Sequence, residues 1–98
     1  MDIAIHRNDA NGRYELHLDG QLASYADFHR EGSTVVMPHT VTLPAYRGQG
    51  LAAQVVRAAL DDFLADDAVE RVVPTCWFVA EMIEAHEEYR PLLEPDSE

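Results

Sequence analysis

Apolar and polar residues alternate through the first part of the chain. Ile3 and Ile5 are interleaved with Asp2, Ala4 and His6, and Tyr14, Leu16 and Leu18 with Glu15, His17 and Asp19, the two-residue period of half-buried strands. Between them, Asn8-Asp9-Ala10-Asn11-Gly12 gathers turn formers and ends on Asn-Gly, a pair that accepts positive φ, and Asp19-Gly20 repeats the signal. Leu22 to His29 reads as a third strand, Arg30-Glu31-Gly32-Ser33 as a turn, and Thr34 to Leu43, rich in Val and Thr, as a fourth strand. These segments predict an antiparallel meander of four strands.

The period changes after Pro44. From Leu51 the apolar residues Leu51, Val55, Val56, Ala59, Leu60, Phe63 and Leu64 recur at helical spacing. They predict an amphipathic helix that ends near Ala65, where Asp61, Asp62, Asp66 and Asp67 oppose the helix dipole. Val69 to Thr75 predicts a short fifth strand. Phe78, Met82 and Ile83 then recur helically, with Val79 on a neighbouring line and Pro91 closing the element. Four strands, helix, strand, helix is an α+β order, and the strand-helix-strand passage over residues 34–75 predicts a crossover between parallel neighbours. One domain over residues 1–93, followed by an acidic tail over 94–98, accounts for the whole pattern.

Composition narrows the function classes. The chain has 98 residues, 47% of them hydrophobic, enough for one small core whose stability ligand binding or pairing into a homodimer would raise. Against 18 acidic residues stand 7 basic ones, all arginine, for a net charge of -11. Nucleic-acid binding needs cations opposed to phosphate, so that class is disfavoured. No run approaches the ~18 apolar residues of a membrane span. The single cysteine, Cys76, precludes an intramolecular disulfide, and with an N-terminus unlike a signal peptide it points to the cytoplasm. His6 and His17 fall on different predicted strands and no His-x-x-x-His or Cys-x-x-Cys spacing occurs, so no metal site is expected. The Glu81, Glu84, Glu87, Glu88 series reads as a solvated helix face, and Trp77, Phe78 and Met82 as core or an entrance wall.

Residues 44–52, Pro-Ala-Tyr-Arg-Gly-Gln-Gly-Leu-Ala, join the fourth strand to the first helix. The first amides of a helix lack intrahelical acceptors and the dipole turns its positive end outward, so a diphosphate can dock there. Gly48 and Gly50 allow close backbone approach, Arg47 adds a cation, and Ala52 keeps the first turn small. A third glycine in the Rossmann position and a Gly-Lys-Ser/Thr run are both missing, which sets aside dinucleotide-binding and P-loop readings.

The run Arg47-Gly48-Gln49-Gly50-Leu51-Ala52 resembles the Arg/Gln-x-x-Gly-x-Gly/Ala signature of GNAT-type N-acetyltransferases, with Pro44-x-Tyr46 as its lead-in. His39-Thr40, Pro74-Thr75-Cys76 and His86-x-x-Tyr89 resemble the pattern of the family's small single-domain branch, over residues 35–93. That resemblance implies a GNAT-like fold with a wedge between the fourth and fifth strands and acetyl-CoA as cosubstrate. It implies that the pantetheine arm pairs with the backbone near Val41, Thr42 and Leu43, and that the thioester ends close to Cys76. Larger members carry one or two helices between the first two strands, where only Asn8 to Arg13 stand here, so the acceptor cleft is expected to be open or incomplete.

Amine acetylation needs a base for the acceptor, an oxyanion donor and an acid for the leaving thiolate. Backbone amides of the fourth strand are candidates for the donor. His39, on the strand leading into the motif, is the candidate base, with an ordinary strand histidine as the alternative. Cys76 is a candidate nucleophile or an inert thiol near the ligand. Tyr89 is the candidate acid, as the resemblance implies, or else it caps and packs with His86. The expected function is acetyl transfer from acetyl-CoA to an unidentified small-molecule or protein amine by direct attack, and the alternative is a non-catalytic acyl-CoA-binding or sensing module.

Overall fold

The computed structural model of the protein describes residues 2–93, and the expected acidic tail over 94–98 lies outside the described residues. The chain runs β1 (Ile3–Asn8), β2 (Arg13–Leu18), β3 (Gln21–Asp27), β4 (His29–Glu31), β5 (Thr34–Val36), β6 (Thr40–Thr42), α1 (Leu51–Ala65), β7 (Arg71–Val73) and α2 (Trp77–Ala85). Short 3-10 turns occupy Pro44–Tyr46, between β6 and α1, and Glu87–Leu92, after α2. The first helix falls where periodicity put it, and the second begins as expected but ends at Ala85, short of Pro91, which lies in the Glu87–Leu92 turn. In α1 the residues Leu51, Val55, Val56, Ala59, Leu60 and Phe63 are buried on one face.

The expected third and fourth strands are each broken in two, and the breaks make the architecture. Strand pairing is carried from β3 to β4 past Phe28, whose ring turns inward onto Tyr14 and Phe63 at centroid distances of 5.4 and 5.5 Å. The partner strand breaks at Met37-Pro38-His39, where Pro38 has no N–H to give a ladder. Two sheets result, one in the order β1-β2-β3-β6 and one in the order β4-β5-β7. β5 and β7 are parallel, with Thr34 opposite Arg71 and Val36 opposite Val73, so the expected crossover is present and α1 is its helix. The hairpin turn before β5 is tighter than expected, since β4 extends to Glu31 and leaves Gly32-Ser33 as its turn.

Beyond Val36 the two halves part. The Met37 amide still donates to the Val73 carbonyl at 3.0 Å, and the Cys76 amide to the Met37 carbonyl at 3.1 Å. Past that point β6 stays on β3, with Tyr25 opposite Val41, while the chain after β7 turns into α2. This divergence is the wedge between the fourth and fifth strands.

The core lies between the β2/β3 face and α1, with Leu16, Met37, Val56, Leu60, Phe63 and Ile83 among its fully buried side chains. Two acids at the end of α1 have partners that periodicity does not reveal. The Tyr14 hydroxyl donates to Asp62 at 2.7 Å and the Tyr89 hydroxyl to Asp61 at 2.6 Å. Burial and the adjacent carboxylate raise the pKa of both phenols above the ordinary tyrosine value.

Candidate functional site

A cleft of about 530 Å³ opens between β6 and the start of α1, walled by Thr40, Val41, Thr42, Tyr46, Arg47, Gly48, Gly50, Leu51, Ala52, Ala53 and Phe78. Its floor at one end is the junction motif. Gly48 and Gly50 take φ of 84° and 75°, left-handed conformations that other residues adopt only under strain. Gly50 is the N-cap of α1 and therefore offers no side chain to cap it. The first hydrogen bond of the helix runs from the Gln54 amide to the Gly50 carbonyl at 3.4 Å, so the amides of Leu51, Ala52 and Ala53 precede the ladder. No acidic residue stands in the first turn to compete for them. A Cβ at Gly48 or Gly50 would meet nothing within 4 Å, so these glycines are required by backbone conformation rather than by crowding.

The long wall is the edge of β6, and its hydrogen bonding is set by alternation. The Asp27 amide donates to the His39 carbonyl and the Leu43 amide to the Ala23 carbonyl, each at 2.9 Å. In an antiparallel ladder the residues that bond the partner strand alternate with residues whose N–H and C=O face away. His39, Val41 and Leu43 thus face β3, and Thr40 and Thr42 present their backbone groups to the wedge. Of the three residues expected to meet the pantetheine arm, Val41 and Thr42 line the cleft, and Thr42 turns its backbone groups outward together with Thr40. The Thr42 carbonyl already accepts from Arg47 Nε at 3.1 Å, which anchors that side chain beside the junction with further N–H donors to spare. Ser24, fully buried, holds the wall from behind through the Val41 carbonyl and Thr42 Oγ1, both at 2.9 Å.

The remaining candidates are not all brought to this cleft. Cys76 is a half-buried free thiol at the N-cap of α2, and its Sγ donates to Thr40 Oγ1 at 3.7 Å, which sets it at the inner end of the wall. His39 leaves the ladder on the exposed side, its side chain 70% exposed and its Nδ1 3.6 Å from Asp27 Oδ2, an ion-pair distance rather than a hydrogen bond. Gln49 is exposed and, like Leu43, is not one of the cleft walls. Tyr89 is not on a long last helix but in the Glu87–Leu92 turn, fully buried and bonded to Asp61. Asp61 lies ten residues along α1 from Leu51, about 15 Å at 1.5 Å per residue, so in this fold Tyr89 ties the chain end to α1 and does not reach the cleft. His86 caps α2 through Nδ1 and the Met82 carbonyl at 2.9 Å and packs on Tyr89, as the packing alternative has it.

Thr40, Tyr46, Ala53 and Phe78 are the cleft residues that motif reading did not assign to the ligand. The two-residue period of the fourth strand could have pointed to Thr40, since it shares a backbone side with Thr42.

A family model described as GCN5-related N-acetyl-transferase matches residues 13–92, and the chain belongs to that family. No curated protein matches it. Solved structures share the fold. The ribosomal-protein-S18-alanine N-acetyltransferase from Escherichia coli aligns with a TM-score of 0.63 at 14% identity, covering 81% of this chain and 53% of that one. The loading GNATL domain of CurA from Lyngbya majuscula aligns at 0.58 with 18% identity, covering 64% and 42%. N-acetylglutamate synthase from Neisseria gonorrhoeae, solved with coenzyme A and N-acetyl-glutamate, aligns at 0.59 with 18% identity, covering 81% and 21%. The chain thus spans about half the length of the first of these and less of the others. Among the described residues no helix is long and apolar enough to cross a membrane.

Proposed function

We propose that this chain is an acetyl-CoA-dependent N-acetyltransferase whose cosubstrate lies along β6 and ends on the junction before α1. The observation that carries the reading is the continuity of the two surfaces: a strand edge with outward backbone groups at Thr40 and Thr42 leads into a helix start with side-chain-free amides. A diphosphate on Gly48 to Ala52, with Arg47 beside it, leaves the pantetheine amides opposite Thr40 and Thr42 and the thioester near Cys76. The acceptor amine then attacks the thioester carbonyl carbon, the C–S bond breaks, coenzyme A leaves as its thiolate, and the amine proton passes to a base. His39, backed by Asp27, is the proposed base; it projects from the far side of the strand, so the proton crosses by way of water or the acceptor itself reaches over the rim. The single free thiol of Cys76 fits a reducing cytoplasm.

A second reading, a non-catalytic acyl-CoA-binding or sensing module, is favoured by one observation. Only residues 9–12 separate β1 from β2, so no helix stands there to wall an acceptor site. Turnover with a panel of amines separates the two readings once binding is shown.

Binding itself is tested by titrating acetyl-CoA while following the fluorescence of Trp77, the only tryptophan, whose ring packs edge-on at 5.9 Å against Phe78 of the cleft wall. Gly50→Glu places a carboxylate where the diphosphate docks and should weaken binding at least tenfold. Gly32→Glu imposes similar backbone strain at φ 67°, in the β4–β5 turn, and should leave binding intact. Absence of binding, or equal binding by Gly50→Glu, overturns both coenzyme A readings.

A further inference from the structure

The sheet face opposite α1 carries a cluster that the acetyl-transfer reading does not use. Antiparallel register sets His6 opposite Glu15 and Ala4 opposite His17, which brings two histidines of different strands onto one carboxylate. The separation in sequence that argued against a metal site is thereby removed. Glu15 Oε1 lies 3.4 Å from His6 Nε2 and 3.0 Å from His17 Nε2, and the three potential ligand atoms all fall within 4.8 Å of one another. The imidazoles stack at 4.9 Å between centroids.

We propose that His6, Glu15 and His17 form a binding site for one divalent first-row transition-metal ion, of which Zn²⁺ is the representative. Zinc bonds to imidazole nitrogen and carboxylate oxygen measure about 2.0–2.2 Å, so the edges of a tetrahedral ligand set are about 3.3–3.5 Å long. The two edges that meet at Glu15 Oε1 are already within a few tenths of an ångström of that length. Only the edge between the histidines has to shorten, and His6, more than half exposed on the outer strand, is free to turn. The ligand types, two imidazoles and a carboxylate, suit zinc and its neighbours rather than calcium or magnesium.

The carboxylate is also held for this purpose. Glu15 is 5% exposed, and its other oxygen, Oε2, accepts from Arg13 Nε at 2.8 Å and from Asn8 Nδ2 at 3.0 Å. Outer partners of this kind fix a ligand's orientation, here turning Oε1 toward both imidazoles. The Arg13 cation works against a dication, which makes the site one of moderate affinity. The metal would take the Nε2 lone pair of each ring, and the neutral imidazole then carries its one proton on Nδ1. The bound ion would clip the outer strand β1 to β2, and because His6 precedes residues 13–92 the site belongs to this chain rather than to the segment that the family model matches.

Calorimetric titration of the metal-free full chain with Zn²⁺, repeated by competition against a chromophoric chelator, tests this. One ion per chain is expected, with binding weakened at least tenfold in His6→Gln and in His17→Gln. Binding in His29→Gln should be unchanged; that residue is an exposed histidine 3.4 Å from Glu31 on another sheet and controls for adventitious surface binding. Circular dichroism checks the fold of each variant, and if His17→Gln unfolds, the exposed His6→Gln alone decides. No binding, or equal binding by His6→Gln and the native chain, overturns the site, as does a His29→Gln loss as large as theirs.

Discussion

Replacing Tyr89 by phenylalanine separates two roles for one hydroxyl. The group is fully buried and donates to Asp61 at 2.6 Å, while Asp61 itself is exposed. Phenylalanine keeps the ring and opens no cavity, so the change removes only the hydrogen bond to an ionised acceptor, a contribution of about 1.5–3 kcal/mol. Asp61 recovers water when its donor is lost, which places the expected cost near the lower end, about 1.5 kcal/mol. For a domain of this size that is a fall in melting temperature of about 6–12 °C. Acetyl-CoA affinity and any amine acetylation should stay within about twofold, because the hydroxyl lies far along α1 from the cleft and its raised pKa makes it reluctant to release a proton. A general acid for the leaving thiolate would instead contribute about 10²–10⁴-fold to turnover. Denaturation curves and steady-state rates on the same preparations decide: unchanged stability with turnover reduced a hundredfold would refute the structural role.

Three further outcomes are expected. Hydrogen bonds from His17, Arg13 and Asn8 hold the Glu15 carboxyl down at about 2, below its ordinary 4.5. Its stabilisation is therefore fully present above pH 4.5 and is lost as pH falls towards 2; the shift corresponds to about 3 kcal/mol at most, and solvent screening on the open sheet face reduces this to about 1–2. Glu15→Gln, measured with a chelator present, should differ from the native chain by that amount at pH 7 and by nothing near pH 2; a gap constant with pH would contradict the assignment. Cys76→Ser keeps a donor beside Thr40 and should leave turnover within about threefold, whereas a hundredfold loss in kcat would make the thiol a nucleophile in the sense of covalent catalysis. His39→Ala should lower kcat about a hundredfold with acetyl-CoA affinity unchanged, and equal turnover would remove His39 from the chemistry.

The helices and the junction motif were legible because their signals are local. Leu51 to Phe63 shows its period within a single window, and Gly48 and Gly50 mark left-handed positions whatever packs around them. The broken strands were not legible. Val and Thr favour extended structure equally on both sides of Pro38, so the run from Thr34 to Leu43 reads as one strand, and only the positions of β3, β4 and β7 show where it changes partner. The placement of Tyr89 and the grouping of His6, Glu15 and His17 were illegible for the same reason. Each depends on a contact distant along the chain or on strand register: Tyr89 with Asp61, His6 with Glu15. Spacing in sequence says nothing about such pairs until the turn between β1 and β2 is fixed, and moving that register by one residue would send Glu15 to the opposite face.

The charge distribution along α1 connects stability to the site. In a chain with net charge -11, an aspartate in the first turn would stabilise the helix dipole and would also repel a diphosphate from the amides it caps. The first turn carries no acid, and Asp61 and Asp62 stand near the opposite end, where the dipole disfavours them. That cost is offset by Tyr14 and Tyr89, whose hydroxyls bond the two carboxylates and tie β2 and the chain end to the helix. The acids thus hold the core together at one end of α1, and the other end has first-turn amides outside the ladder, a left-handed glycine cap and Arg47 anchored beside it. A substitution that moved acid from the last turns to the first would improve the isolated helix and impair the cleft, which is why helix propensity alone is a poor guide to how this segment is built.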